Sequence, residues 1–163
     1  MTVDELGDHE VERMDDEEIR GFLSSQGVGV LGLASEGAPT MRPLSFWFDG
    51  DDCLYFHYVL GSGSRKEVLT ERAESVRFLV YSAETRFNWR SVLLTGRIEA
   101  VAESELDAIR DVIEMRERPD ALERASQSAE TRLYRFRIED RNGIKHLGLP
   151  PGFERESVED RDT

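Results

Sequence analysis

Cysteine, lysine and long apolar runs are all scarce in this chain. Cys53 is the only cysteine among 163 residues, which excludes an internal disulfide bond and a metal site built from several cysteines. No apolar run approaches the roughly 18 residues that a membrane-spanning helix needs, and the first residues lack the basic and apolar regions of a secretory signal. We therefore expect a soluble, cytoplasmic protein with no membrane partner.

The charge balance is strongly acidic. A formal net charge of −13 would repel a phosphate backbone over most of the surface, so we expect no nucleic-acid partner. Of 21 basic residues only Lys66 and Lys145 are lysine, and the rest are arginine. Acidity combined with this preference for arginine is typical of a halophilic protein. An ordinary acidic cytosolic protein is the alternative.

Length and composition fit one folded domain, because 163 residues with 39% hydrophobic side chains suffice for a core. We predict a flexible acidic arm at residues 1–14, a single domain at 15–148 and an acidic tail at 149–163. Apolar and turn patterns predict strands at 27–34, 39–48, 53–58, 75–81, 88–102 and 131–138. Hairpins join most of them, so we expect a mainly β fold, a six-stranded antiparallel barrel with peripheral helices.

The predicted helices and irregular segments complete this outline. A helix capped by Asp15 or Asp16 and ending near residue 25 should direct Ile19, Phe22 and Leu23 to the core. Further helices are expected at 65–72 and at 103–125, where Pro119 interrupts or ends the first part. We expect a loop at 82–87, a bend or bulge at Gly96 and a turn at 142–143.

The most informative segment is an aromatic strand that runs into a Gly/Ser loop, Leu54-Tyr55-Phe56-His57-Tyr58-Val59-Leu60-Gly61-Ser62-Gly63-Ser64-Arg65-Lys66. Small residues allow backbone N–H groups to approach a phosphate, and Arg and Lys add charge and donors. The loop lacks the ending of a Walker A motif and the third glycine of a dinucleotide fingerprint. A solvated helix start with surface charges is the alternative interpretation.

Further segments carry a resemblance. Pro39-Thr40-Met41-Arg42-Pro43-Leu44-Ser45-Phe46 precedes the aromatic strand and Ser64-Arg65-Lys66, and Trp89-Arg90-Ser91-Val92-Leu93-Leu94-Thr95-Gly96-Arg97-Ile98-Glu99 follows them. In this order the chain resembles the pyridoxamine 5′-phosphate oxidase-like family of FMN-binding split barrels, over roughly residues 16–138. The resemblance implies that FMN lies across the interface of a homodimer, with both chains contributing to each site.

On the phosphate side, the resemblance implies that Ser64, Arg65 and Lys66 hold the flavin phosphate. His57 and Tyr58 fall where the family strand passes the phosphate and the ribityl chain. These five residues are therefore candidate cofactor ligands.

On the ring side, the resemblance places the strand Arg42–Phe46 against the isoalloxazine and ribityl chain, with backbone groups of Pro43, Leu44 and Ser45 reaching the ring. Ser91 stands where the oxidases proper carry a glutamine, so a long donor to the flavin edge is missing. The C-terminal Trp and Arg that help those oxidases to bind pyridoxamine phosphate are not recognisable, which argues against that substrate.

The resemblance favours an FMN-dependent oxidoreductase acting on a small organic substrate or electron acceptor. No nucleophilic triad, paired carboxylates or metal-ligand spacing stands out, so we assign no catalytic residue and no metal. A non-catalytic FMN carrier or sensor is one alternative. Split barrels that bind the deazaflavin F420, or haem, are another, because F420 also carries a phosphate.

Overall fold

Antiparallel strands make up most of the ordered framework. The computed structural model describes residues 11–59, 75–114 and 131–148. Its elements follow the order β1 (Val11–Arg13), α1 (Asp16–Ser25), β2 (Val28–Leu33), β3 (Thr40–Phe48), β4 (Cys53–Val59), β5 (Val76–Thr85), β6 (Asn88–Ala100), α2 (Glu103–Glu114) and β7 (Thr131–Leu147).

Six of these strands close into a barrel. Going round it, β2 pairs with β3, β3 with β4, β4 with β7, β7 with β6, β6 with β5, and β5 with β2 again. All of these pairs are antiparallel. The short strand β1 adds to the free edge at the end of β7. The predicted mainly β, six-stranded antiparallel barrel is confirmed, with β1 as an additional strand.

Aromatic side chains fill the barrel interior. Phe56, Phe78 and Phe136 are fully buried, and Phe46 is 3% exposed. The rings of Phe46 and Phe78 meet edge to face at 5.4 Å, and those of Phe56 and Phe78 lie 4.9 Å apart. Side chains of successive strand residues point to opposite faces, so each strand places alternate residues in this core. The aromatic cluster fixes which face of β3, β4 and β5 points outward.

Helix α1 packs its apolar face against this core, as predicted. The side chain of Asp15 accepts a hydrogen bond from the Glu18 N–H at 2.8 Å and so caps the first turn. Ile19, Phe22 and Leu23 are buried and belong to the main core. The predicted cap and the predicted inward face of this helix are both confirmed.

Strand β7 corrects the predicted turn at residues 142–143. It runs without interruption from Thr131 to Leu147, well beyond the predicted end at 138. Val92 of β6 pairs with Gly143, and β1 pairs with the three residues that follow it, so β7 has partners on both edges there. A Cβ at residue 143 would lie 2.9 Å from both Met14 and Ile19. The glycine therefore allows close packing of the chain around α1 and does not make a turn.

Two further boundaries differ from prediction. The loop expected at 82–87 is reduced to residues 86–87, because β5 and β6 continue pairing to Thr85 and Asn88. Residues 11–13, expected in the flexible arm, form β1 because they can pair with the exposed edge of β7, and Met14 is buried. Residues 1–10 and 149–163, the predicted helix at 65–72 and the last part of that at 103–125 lie outside the described residues.

A buried arginine joins α2 to the barrel. Arg135 on β7 is 9% exposed, and its guanidinium lies 3.2 Å from Glu99 on β6 and 3.4 Å from Glu105 on α2. It also lies 5.7 Å from the centre of the Tyr55 ring. Ile109 of α2 and Tyr55 share a second, smaller cluster outside the barrel. Charge and apolar contact together hold α2 on the outer face of β4 and β7.

The charge on Glu99 gives this attachment a pH dependence. A hydrogen bond from Arg137, opposed by partial burial and assisted by Arg135, lowers the pKa of Glu99. Its contribution to stability is therefore complete above its ordinary pKa of 4.5 and is lost as the pH falls through the lower folded value. We expect Glu99→Gln to reduce the free energy of unfolding at pH 7 by about 1 kcal/mol or less. Urea unfolding in acid should show a smaller difference in stability between wild type and Glu99→Gln. An equal difference at both pH values would contradict a stabilising role for the charge of Glu99.

Candidate functional site

The barrel is split between β3 and β4. These strands pair only through Phe46–Phe48 of β3 and Leu54–Phe56 of β4. Beyond that point β3 continues back to Thr40 beside β2, whereas β4 continues to Val59 beside β7. Within the described residues, facing edges of both strands are thus left without a partner strand.

The open edge of β3 offers backbone hydrogen-bonding groups. The N–H of Phe46 donates to a carbonyl just before β2, at 2.9 Å. Backbone groups alternate in direction along a strand, so Pro43 and Ser45 direct theirs to the other side, toward the split. A proline fits such a position because it has no N–H to contribute to a ladder. The carbonyl of Pro43 and both backbone groups of Ser45 therefore face the split.

The other predicted residues of this strand have different surroundings. Arg42 and Ser45 are exposed, so their side chains are accessible to a ligand. Leu44 is half-buried against the core, and by the alternation its backbone groups belong to the ladder with β2. Phe46 lies in the core. Accessible hydrogen-bonding groups thus come from Arg42, Pro43 and Ser45.

The phosphate side can be followed only along the backbone of β4. His57 and Tyr58 lie beyond the last β3 pair, on the edge of the split, and their backbones pair with β7. Their side chains are outside the described part of the structure. So are Ser64, Arg65 and Lys66, which follow β4 in the chain. The proposed phosphate ligands remain a prediction from the sequence.

Ser91 does not meet β3 within one barrel. It lies on β6, opposite Tyr81 of β5, and β2 stands between β5 and β3. Measured along the barrel wall, three strand spacings separate β6 from β3, an arc of about 14 Å. A ligand that touches both Ser91 and Ser45 must therefore cross the outer face of the barrel or receive one of them from a second chain.

An apolar groove lies on that outer face; we call it the outer groove. It has a volume of about 430 Å³ and is lined by β2, β3, β5 and β6. Val30, Leu79 and Leu93 form its half-buried apolar floor, Met41 one wall and Arg77 the other. This groove was not predicted from the sequence. A signal was nevertheless available, because β2, β5 and β6 carry apolar residues at outward as well as inward positions. Such strands indicate a sheet that is covered on both faces.

Two residues near the end of β7 have structural partners. The ammonium of Lys145 lies 2.5 Å from the carboxylate of Glu18, and this partner raises the pKa of the lysine. His146 is buried, its Nδ1 lies 2.6 Å from the carbonyl oxygen of Phe87, and its ring stacks on Trp89. Lys145 connects β7 to α1, and His146 packs at the tip of the β5–β6 hairpin.

Cys53 is not a candidate for a reactive thiol in this site. Burial, together with a hydrogen bond to Asp52 and the charges of Asp49 and Asp52, raises the pKa of its thiol to about 12. The neighbouring Asp49 carboxylate accepts the N–H groups of Asp51 and Cys53 at 2.8 and 3.1 Å. These contacts organise the β3–β4 turn, and the protonated thiol packs beneath it.

In the described ranges, neither helix is long and apolar enough to span a bilayer.

The family model described as pyridoxamine 5′-phosphate oxidase matches residues 15–145. No curated protein matches the chain in sequence.

Solved structures of similar shape include several flavoproteins. An FAD-binding protein from Mesorhizobium loti is 25% identical, with a TM-score of 0.67, and the match covers 84% of this chain and 99% of that one. An FAD and haem binding protein from Mycobacterium smegmatis has 18% identity, a TM-score of 0.67 and coverages of 86% and 75%. A flavocytochrome from Azotobacter vinelandii has 21% identity, a TM-score of 0.61 and coverages of 90% and 73%.

Proposed function

Because the chain belongs to the pyridoxamine 5′-phosphate oxidase family, we propose that it is a flavin-dependent oxidoreductase whose FMN occupies the split between β3 and β4. The observation that carries this proposal is the open edge of β3. Exposed backbone N–H and C=O groups require partners, and a flavin ring presents both donors and acceptors along its edge.

The residues present fit an FMN. Ser45 offers an N–H and a carbonyl toward the split, Pro43 offers a carbonyl, and Arg42 adds an exposed guanidinium. The same split is bordered by the end of β4, from which the chain leads to Ser64-Arg65-Lys66. A hydroxyl, a guanidinium and an ammonium in succession suit a phosphate monoester. We therefore assign the ring to β3 and the phosphate to the segment after β4.

The second half of the proposal is a homodimer. Val28, Met41 and Tyr81 lie on the outer face of β2, β3 and β5, and each is between 58% and 59% exposed. Large apolar side chains grouped on one face of a sheet indicate an interaction surface. A second copy placed on this face would cover them and could bring its own Ser91 strand toward the first copy's β3.

Bound FMN supplies the hydride- or electron-transfer chemistry, while the protein orients the reactants and excludes water. FMN, rather than FAD, is proposed because the cationic triplet suits a terminal phosphate. The substrate is a small organic molecule or electron acceptor that meets the ring from the barrel's outer face.

The visible spectrum of the protein as isolated tests the flavin assignment. We expect a yellow protein with the two absorption bands of an oxidised flavin, and chromatography of the heat-released cofactor should identify FMN. A colourless protein that ignores added FMN but binds F420 would overturn the proposal. Release of FAD would preserve flavin binding and reject FMN.

Two further measurements test the oxidoreductase activity and the homodimer separately. Reduction of the bound flavin by NAD(P)H, followed by steady turnover with an acceptor, is expected of an oxidoreductase. A carrier or sensor would give no turnover with any acceptor. Light scattering coupled to size exclusion should give twice the mass of the 18.6 kDa chain. A monomer that still binds FMN would reject the shared interface.

A further inference from the structure

The outer groove combines an apolar floor with one cationic end. Val30, Leu79 and Leu93 are half-buried, whereas Ser75, just before β5, and Arg77 near its start are exposed. Residues 75 and 77 share the outward face of β5 because side chains alternate along a strand. The apolar surface of the groove is therefore bordered at one end by Ser75, which carries a hydroxyl, and Arg77, which carries a guanidinium.

Arg77 has no polar partner among the described residues. No hydrogen bond or ion pair found there involves its guanidinium. By contrast, Arg97 on the neighbouring strand lies 2.8 Å from Glu139, and Arg135 bridges Glu99 and Glu105. An arginine beside an apolar surface is suited to a carboxylate, which its planar fork binds in two places.

Gly32 creates the room between the two walls. It stands on β2 between Met41 of β3 and Arg77 of β5, with which it pairs in register. Because it has no side chain, the outer face is indented at this point. A Cβ there would meet only the carbonyl oxygen of Arg77 at 3.7 Å, an ordinary contact. A larger side chain at residue 32 would therefore fill the groove without disturbing the core.

We propose that the outer groove is the substrate site of the flavin centre and takes an apolar organic carboxylate, with its carboxylate on Arg77. This inference rests on the proposed function. Met41 lies two residues from Pro43 on the outer face of β3, so the groove adjoins the strand assigned to the flavin ring. Because Met41 also belongs to the face proposed for the second copy, that copy would border the groove on this side. A volume of about 430 Å³ is within the range of small-molecule sites, which combine apolar walls with few polar groups.

The test uses 3-phenylpropionate and its uncharged amide as probes, titrated calorimetrically into the full-length protein as isolated. We expect the carboxylate to bind more tightly than the amide. Arg77→Gln should weaken carboxylate binding about tenfold and leave amide binding unchanged, because only the charged hydrogen bonds are lost. Gly32→Val should weaken both probes. Arg97→Gln, which removes the same charge outside the groove, should change neither.

Flavin content, read from the spectrum of each sample, separates the outcomes. With flavin present, equal binding of acid and amide, or an unchanged affinity in Arg77→Gln, overturns the inference and leaves the proposed function standing. If neither FMN nor FAD binds, the proposed function is wrong. The groove then cannot be the substrate site of a flavin centre, even if Arg77 binds the acid. If Gly32→Val separates a dimer and leaves acid binding unchanged, the groove is only an interface and the inference is overturned.

Discussion

Gly96→Ala should destabilise the barrel more than any other single methyl addition at a described glycine. A Cβ on residue 96 would lie 2.0 Å from the carbonyl oxygen of Arg137 and 2.9 Å from its carbonyl carbon, so the obstruction is backbone of the paired strand. The register of β6 and β7 shifts between Thr95 and Gly96, where Glu139 is the extra residue on β7, so Gly96 lies beside a bulge of the paired strand. Relieving the clash would disturb the seam that closes the barrel. We expect a loss of about 3 kcal/mol or more in the free energy of unfolding, measured by urea titration.

Gly32→Ala is the matched control for this prediction. It also adds one methyl group to a barrel strand, but its closest neighbour would be 3.7 Å away. The free energy of unfolding should therefore change by about 1 kcal/mol or less, in either direction, since alanine restricts the unfolded chain. Similar losses in the two variants would show that the cost comes from replacing glycine in a strand and not from the close approach of β6 to β7.

Local patterns in the sequence were sufficient to predict the barrel. β5 places a buried apolar residue at every second position from Val76 to Val80, and β6 does so at Val92 and Leu94. Short turns separate several of the strands, so their existence and antiparallel order follow from periodicity and turn spacing. The irregularity at Gly96 could be predicted because a lone glycine inside a strong strand pattern has few other uses, although the extra residue of the bulge lies on β7. The helix capped by Asp15 was equally visible from its cap and its apolar spacing.

Long-range pairing explains what the sequence did not predict. Asn-Gly is the strongest short-range signal for a hairpin turn, yet residues 142–143 are held extended by β6 on one edge, with β1 following on the other. Partner strands about fifty and more than a hundred residues away in the chain outweigh the local preference. The short strand at 11–13 has the same origin, because nothing in its own composition favours a strand without the exposed edge of β7.

The candidate site was only partly accessible to sequence reasoning. Resemblance placed a ligand along Arg42–Phe46, but it could not distinguish the outward backbone groups of Pro43 and Ser45 from those of Leu44. That distinction depends on the phase of hydrogen bonding between β2 and β3. The outer groove depends on side chains from four strands and on the missing side chain of Gly32, so no contiguous motif marks it.

Arg65→Ala combined with Lys66→Ala should have the largest effect on cofactor binding. If both cations hold the FMN phosphate, each charged hydrogen bond contributes about 1.5–3 kcal/mol, and the double variant should lose about 3–6 kcal/mol of binding free energy. That loss is about a hundredfold to more than ten-thousandfold in the dissociation constant. Fluorescence titration of the cofactor-free protein with FMN measures it. Riboflavin, which lacks the phosphate, should bind wild type and variant alike.

The riboflavin comparison makes this prediction specific. A folding defect would weaken FMN and riboflavin together, whereas loss of phosphate contacts weakens FMN alone. Arg20→Ala combined with Arg97→Ala removes the same two charges from exposed positions whose described ion pairs are with Asp51 and Glu139, so it controls for the general field of an acidic protein. That control variant should bind FMN within about twofold of wild type, because exposed charges contribute little at a distance in moderate salt. An unchanged affinity for FMN in the Arg65/Lys66 variant would reject the phosphate assignment and leave only the β3 edge to define a cofactor site.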